Sequence, residues 1–158
     1  MDDNLVFRRQ FLLTPDTCAS LSHWGHTRVG NFHVYAHPDV ELSTVQSADG
    51  TAALALVGFI IDPVNRESSN VDVLNAIADL ASSVDRVSEY LCSLSGRFVL
   101  VLTNSEDTFL FHDPCGLRTL YYTRHEGQVL AGSQPLIFKE VMPLEEGRAS
   151  LPTSAPHT

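Results

Sequence analysis

Short runs of alternating apolar and polar residues, separated by turn residues, make up most of this chain, and that pattern predicts strands. Leu5 to Leu13 reads as one strand, ended by Thr14-Pro15-Asp16. Arg28 to Ala36 and Val40 to Gln46 are two more. His37-Pro38-Asp39 divides them, because proline fixes φ and pushes its predecessor out of helical space. Ala48-Asp49-Gly50 predicts a hairpin turn. Ala52 to Ile61 is apolar throughout, as in a strand buried on both faces, and Asp62-Pro63 closes it.

The period then changes. Asn70 is placed to cap a helix running to Leu80, with Val71, Leu74, Ile77, Ala78 and Ala81 on one face. Ser82-Ser83-Val84-Asp85 fits the capping box of a second helix, with Val84, Val87, Leu91 and Leu94 at helical spacing. Cys92 falls on the apolar side of that helix, which predicts a core position. Strands resume at Arg97 to Thr103, Thr108 to His112, Thr119 to Thr123 and Gln128 to Gly132, followed by a short helical turn over Gln134 to Lys139. Strands, helix pair, strands predicts an α+β domain of two packed, mostly antiparallel sheets with helices on the outer faces. The domain spans residues 1–142. Residues 143–158 are rich in Pro, Ser, Thr and Glu, lack periodicity, and read as a disordered tail or truncated linker.

Length and charge narrow the functional classes. The 158 residues suffice for one domain with a real core. A net charge of −9 argues against non-specific nucleic-acid binding, because an acidic surface repels phosphate. Three cysteines, Cys18, Cys92 and Cys115, at unrelated spacings argue against a disulfide framework and for a reducing compartment. With no signal-like segment, and no apolar run long enough to span a bilayer, the expectation is a cytoplasmic protein with no membrane partner.

The densest stretch is Gly96-Arg97-Phe98-Val99-Leu100-Val101, then His112-Asp113-Pro114-Cys115-Gly116-Leu117-Arg118-Thr119-Leu120-Tyr121-Tyr122, then Ala131-Gly132-Ser133-Gln134. In this order it resembles the glutaminase domain of asparagine synthetase-related proteins, a class II glutamine amidotransferase with an N-terminal-nucleophile hydrolase fold. That family's run is a Gly-x-Phe strand, an Arg-Asp-x-x-Gly-x-Lys-Pro-Leu-Tyr-Tyr segment and a Phe-Ala-Ser-Glu strand end. Asp113, Gly116, Leu120, Tyr121, Tyr122, Ala131 and Ser133 match it, and Arg118 stands where the family has lysine. The resemblance covers about residues 28 to 140.

The resemblance also implies a catalytic set that this chain lacks. The family uses a cysteine at residue 2 as nucleophile, with its own α-amine as base; here the position is Asp2. The family's Asn-Gly-Glu strand end, which supplies an oxyanion donor and holds glutamine, aligns with Val57-Gly58-Phe59, and only the glycine is kept. The aspartate that grips the glutamine amine aligns with Asn70. The resemblance therefore implies a pseudoenzyme: a glutaminase-like scaffold without hydrolytic residues or cofactor, docking onto an ATP-dependent, amide-forming synthetase domain or chain. Asp113, Gly116, Arg118, Tyr121, Tyr122 and Ser133 would be its structural and docking residues.

The residues themselves carry further readings. Asp113 can accept the free backbone N–H groups of its turn, and Gly116 allows a positive φ or a close approach. Tyr121 and Tyr122 face opposite sides of their strand, so one ring is expected in the core and the other toward a partner. Two alternatives stay open: an amidotransferase or hydrolase with an unrecognised nucleophile, and a self-associating module forming a homo-oligomer through a sheet edge. Cys18 after cleavage, and Cys115 beside His112 and Asp113, are the candidate nucleophiles. His23, His26, His33 and His37 are read as surface histidines and not as a zinc site, for want of ligand spacing. Trp24 is a loop plug, and Asp39, Glu41 and Asp49 are solvated hairpin charges.

Overall fold

The structure, a computed structural model, describes residues 7–143. The elements are β1 (Phe11–Thr14), β2 (Gly25–Val29), β3 (Phe32–Ala36), β4 (Leu42–Gln46), β5 (Ala53–Ile61), α1 (Asn70–Ala78), α2 (Val84–Ser93), β6 (Ser95–Thr103), β7 (Thr108–His112), β8 (Tyr121–His125) and β9 (Gln128–Gly132). They build two sheets, β4-β5-β6-β7 (sheet I) and β2-β3-β1-β9-β8 (sheet II). Every strand pairing is antiparallel. The class is α+β.

Strand periodicity explains the layering. Leu54, Leu56 and Ile60 of β5 and Phe98, Leu100 and Leu102 of β6 face the helices, where they meet Val73, Leu74, Ile77, Val87 and Leu91. Ala55, Val57, Val99 and Val101 point the opposite way, against Phe11, Leu13, Val34 and Ala36 of sheet II. Both faces of β5 are thus covered from Leu54 to Gly58, which accounts for the lack of polar residues there, while Phe59 and Ile61 at its end are exposed. A third cluster lies on the outer face of sheet II. There Leu12, Tyr35 and Leu130 pack under Leu21, Trp24, Ile137 and Phe138. Short 3-10 turns at Ala19–Leu21 and Pro135–Glu140 supply Leu21, Ile137 and Phe138.

Several expectations are corrected. The α-helices cover one outer face only, since sheet II is covered by 3-10 turns instead. The strand expected from Leu5 starts at Phe11, because residues 7–9 turn, with Phe7 and Arg9 at φ 55° and 59°; Leu5 itself lies outside the described residues. The single strand expected over Arg28 to Ala36 is a hairpin, β2–β3, turning at Gly30 (φ 56°) and Asn31. No side chain fits at Gly30, where a Cβ would collide with the Thr103 hydroxyl. The N-cap of α1 is Ser69, in a capping box with Asp72, and not Asn70. Ser83 precedes α2 without a side-chain capping bond. Val71 is 46% exposed, and Val73 takes its place in the core. Cys92 is exposed, because the buried stripe of α2 runs through Val87 and Leu91. His37 is buried, edge-on to Trp24 at 5.4 Å, while its ring nitrogen accepts from the Asp39 amide. The tail boundary after residue 142 falls almost wholly outside the described residues; Val141 and Met142 pack on the outer cluster of sheet II.

Candidate functional site

Toward the ends of β5 and β6 the backbone takes positive φ at two glycines, while the pairing register runs on unbroken. Gly58 opposes Phe98 at φ 110°, and Gly96 opposes Ile60 at φ 131°. Any Cβ at Gly58 would strike the Arg97 carbonyl oxygen, and one at Gly96 would strike that of Phe59. Only glycine lets the strands cross this closely with a positive φ.

Asn70 underpins this irregular stretch. From the first turn of α1 its Oδ1 accepts from the Ile60 amide at 3.0 Å. Its Nδ2 donates to the Gly58 carbonyl at 3.1 Å and to Ser43 Oγ at 3.3 Å. The Gly58 amide in turn donates to the Glu41 carbonyl at 2.8 Å. The Gly58 amide and carbonyl and the Ile60 amide are therefore all paired, as burial requires.

Asp113 organises the other wall. It is fully buried, and its carboxylate accepts from the amides of Leu117 and Arg118, both at 2.8 Å. Burial pushes this carboxyl up, but the Arg118 and Leu117 amides outweigh it and hold the pKa below the ordinary aspartate value. Gly116 supplies the turn at φ 64°. A Cβ there would meet nothing within 4 Å, so the role of this glycine is conformational. Fixing the Arg118 amide carries its side chain back over Gly58, where Nε donates to the Arg97 carbonyl at 3.3 Å.

Between these walls lies a cleft of about 230 Å³, lined by Arg9, Asp39, Val40, Glu41, Gly58, Phe59, Arg97 and Arg118. Asp39 is bound by Arg8 at 2.6 Å. Glu41 accepts from the Ser43 hydroxyl at 3.1 Å. Burial and the neighbouring Arg97 charge lower the Arg118 pKa from its ordinary value, while Asp113 opposes them. Among the described residues, no thiol or hydroxyl side chain lines this cleft. A larger hollow of about 650 Å³ lies at the other end of β6, where Thr108 pairs with Thr103, and holds none of the residues singled out from the sequence.

The structure therefore divides the sequence candidates. Gly58, Phe59 and Arg118 line the cleft. Val57 does not: it is buried between the sheets. Asn70 is buried behind Gly58, facing the backbone. Ser133 joins β9 to β1, its Oγ accepting from the Phe11 amide at 3.0 Å. Tyr121 and Tyr122 are both exposed, at 44% and 76%, which corrects the expectation of one core ring; β8 is an edge strand paired only with β9. Asp2 lies outside the described residues.

The candidate nucleophiles are not assembled into a catalytic array. Cys18 is buried, its amide donating to Tyr35 Oη. Cys115 is exposed on the turn, whereas His112 Nδ1 bonds the Asp113 carbonyl and the Asp113 carboxylate is taken by backbone amides. Of the four histidines, His26 and His33 stack with ring nitrogens 3.0 Å apart, while His23 and His37 flank Trp24. Reading the sequence missed Arg9, Arg97, Asp39 and Glu41 as cleft residues. Arg97 alone left a signal, as the one charge at the head of the otherwise apolar run Phe98 to Leu102.

Among the described residues, no helix is long and apolar enough to cross a membrane. Comparison with protein-family models, curated proteins and solved structures gives no match.

Proposed function

We propose that this domain is a non-hydrolysing, glutaminase-like scaffold with the N-terminal-nucleophile hydrolase arrangement, from the asparagine synthetase-related family, and that it docks onto an ATP-dependent, amide-forming synthetase domain or chain in the cytoplasm. The observation that carries the reading is the cleft beside Gly58. The resemblance puts glutamine at this strand end, yet the described side chains lining it are arginines, carboxylates, Val40 and Phe59, without a nucleophile. The side chain at Asn70, which the resemblance assigns to holding the glutamine amine, is instead consumed in backbone hydrogen bonds.

The two-sheet architecture with a helix pair on one face supports the fold part of the proposal. The docking part rests on the loop and edge strand that follow Asp113. Leu117, Tyr121 and Tyr122 stand exposed there beside Arg118. Aromatic residues and arginine around an apolar centre are the composition of interface hot spots. Asp113 fixes this loop by two amide bonds, so the surface is rigid before a partner arrives, which lowers the cost of binding.

The test is ammonia release from L-glutamine by the purified chain, with each cysteine replaced by alanine in turn. The reading expects no release above that of free solution. Release abolished by a single Cys→Ala substitution overturns it.

A further inference from the structure

The chain is acidic, with ten Lys and Arg against nineteen Asp and Glu, yet several of its arginines are gathered at one place. Arg9, Arg97 and Arg118 line the cleft beside Gly58, and Arg8 adjoins it through Asp39. Four of the ten basic side chains thus meet two carboxylates, Asp39 and Glu41. Asp39 is already bound by Arg8, and Glu41 accepts from Ser43. Among the described residues, no carboxylate lies within ion-pair distance of Arg9, Arg97 or Arg118.

Such a grouping costs stability through like-charge repulsion, which Asp39 opposes at Arg8 and Asp113 at Arg118. The half-buried Arg118 registers the Arg97 charge directly. Its Nε is used on the Arg97 carbonyl, so the outer nitrogens of its guanidinium are left for a ligand. Guanidinium forks match planar carboxylates with two parallel bonds. Val40 and Phe59 add an apolar wall, suited to a hydrocarbon segment. The volume, about 230 Å³, corresponds to roughly eight water molecules.

We propose that this cleft binds a small organic acid bearing two carboxylates, held by Arg97 and Arg118 with Arg9 at the rim, its carbon chain lying on Val40 and Phe59. Inorganic phosphate lacks the hydrocarbon segment, and an amino acid with an uncharged side chain, such as L-glutamine, would present only one carboxylate to three guanidinium groups. The inference stands on the charges of the cleft and does not require the scaffold reading.

Succinate titrated into the intact chain by calorimetry at constant ionic strength tests it, with acetate, inorganic phosphate and L-glutamine as comparison probes. Saturable 1:1 succinate binding is expected, tighter than any of the three. Arg97→Gln, at an exposed strand position, is expected to weaken it about tenfold or more, as loss of a charged hydrogen bond does. An unchanged thermal midpoint for Arg97→Gln in sodium chloride separates lost binding from lost folding, and Arg9→Gln provides a second exposed variant should Arg97→Gln misfold. Absence of saturable succinate binding, equal or tighter binding of any comparison probe, or an affinity unmoved in the folded variants each overturns the proposal.

Discussion

Asn70 is tied to Gly58 by a buried hydrogen bond, Nδ2 to carbonyl oxygen at 3.1 Å, while its Oδ1 holds the Ile60 amide at 3.0 Å. One side chain thus satisfies the Gly58 carbonyl and the Ile60 amide, on either side of Phe59, and fixes the first turn of α1 to the positive-φ stretch of β5. Phe59, between Gly58 and Ile60, is paired with Arg97 of β6, and both line the cleft.

Replacing Asn70 with alanine leaves the Gly58 carbonyl and the Ile60 amide buried without these partners. The expected destabilisation is about 2–4 kcal/mol, read from urea unfolding. Asn70→Asp keeps an acceptor for Ile60 but loses the donor to Gly58. Its deficit at neutral pH should shrink as pH falls, because the protonated carboxyl regains a donor.

Gly58→Ala tests the close crossing of β5 and β6. The added methyl meets the Arg97 carbonyl, a backbone atom that cannot swing aside, and φ of 110° is strained for alanine. A loss of at least about 2 kcal/mol is expected by denaturant unfolding. Alanine at Gly116, where φ is 64° and no atom lies within 4 Å, should cost only the conformational strain of about 1 kcal/mol.

Acid should weaken the fold through several aspartates at once. The Ser47 hydroxyl, then the Thr51 amide and hydroxyl, lower the Asp49 pKa to about 2. Arg8 lowers that of Asp39, the Asn65 and Val64 amides that of Asp62, and the Ser69 hydroxyl and amide that of Asp72. Asp113 is lowered as well. Folded values below the unfolded ones mean that these groups stabilise fully above the unfolded value of about 4. The contribution disappears as pH falls through the folded values, toward about 2 for Asp49. The urea midpoint should therefore drop between about pH 5 and pH 2.5, and drop less in Asp113→Asn. A midpoint constant across that window contradicts the assignment.

Thiol accessibility follows from burial. Cys92 and Cys115 are exposed and Cys18 is 4% exposed. A maleimide reagent should add two labels to the native chain and a third only in denaturant, as intact mass shows.

Much of the architecture was legible in the chain because burial follows strand period. The continuous apolar runs at Ala52 to Ile61 and Phe98 to Leu102 predict the central pair of sheet I directly. The β2–β3 hairpin was hidden because Gly30-Asn31 interrupts an alternation that continues on both sides. The turn at Phe7 to Arg9 was hidden because its positive φ values fall on Phe7 and Arg9, which carry no turn signature. Asn70 looked like a cap by position, but Ser69 and Asp72 complete the capping box and free Asn70 to turn inward. The cleft was only half readable. Gly58, Phe59 and Arg118 stood out by resemblance, whereas Arg9, Asp39 and Glu41 join them through tertiary proximity that no local pattern encodes.

The central claim is that the frame of a glutaminase domain is kept without its glutamine chemistry. Incubation of the chain with an electrophilic glutamine analogue, followed by intact mass and peptide mapping, tests it most directly. The account predicts at most slow labelling of exposed Cys92 and Cys115, unaffected by excess L-glutamine. A rapid, stoichiometric adduct on one residue, prevented by L-glutamine, would contradict it.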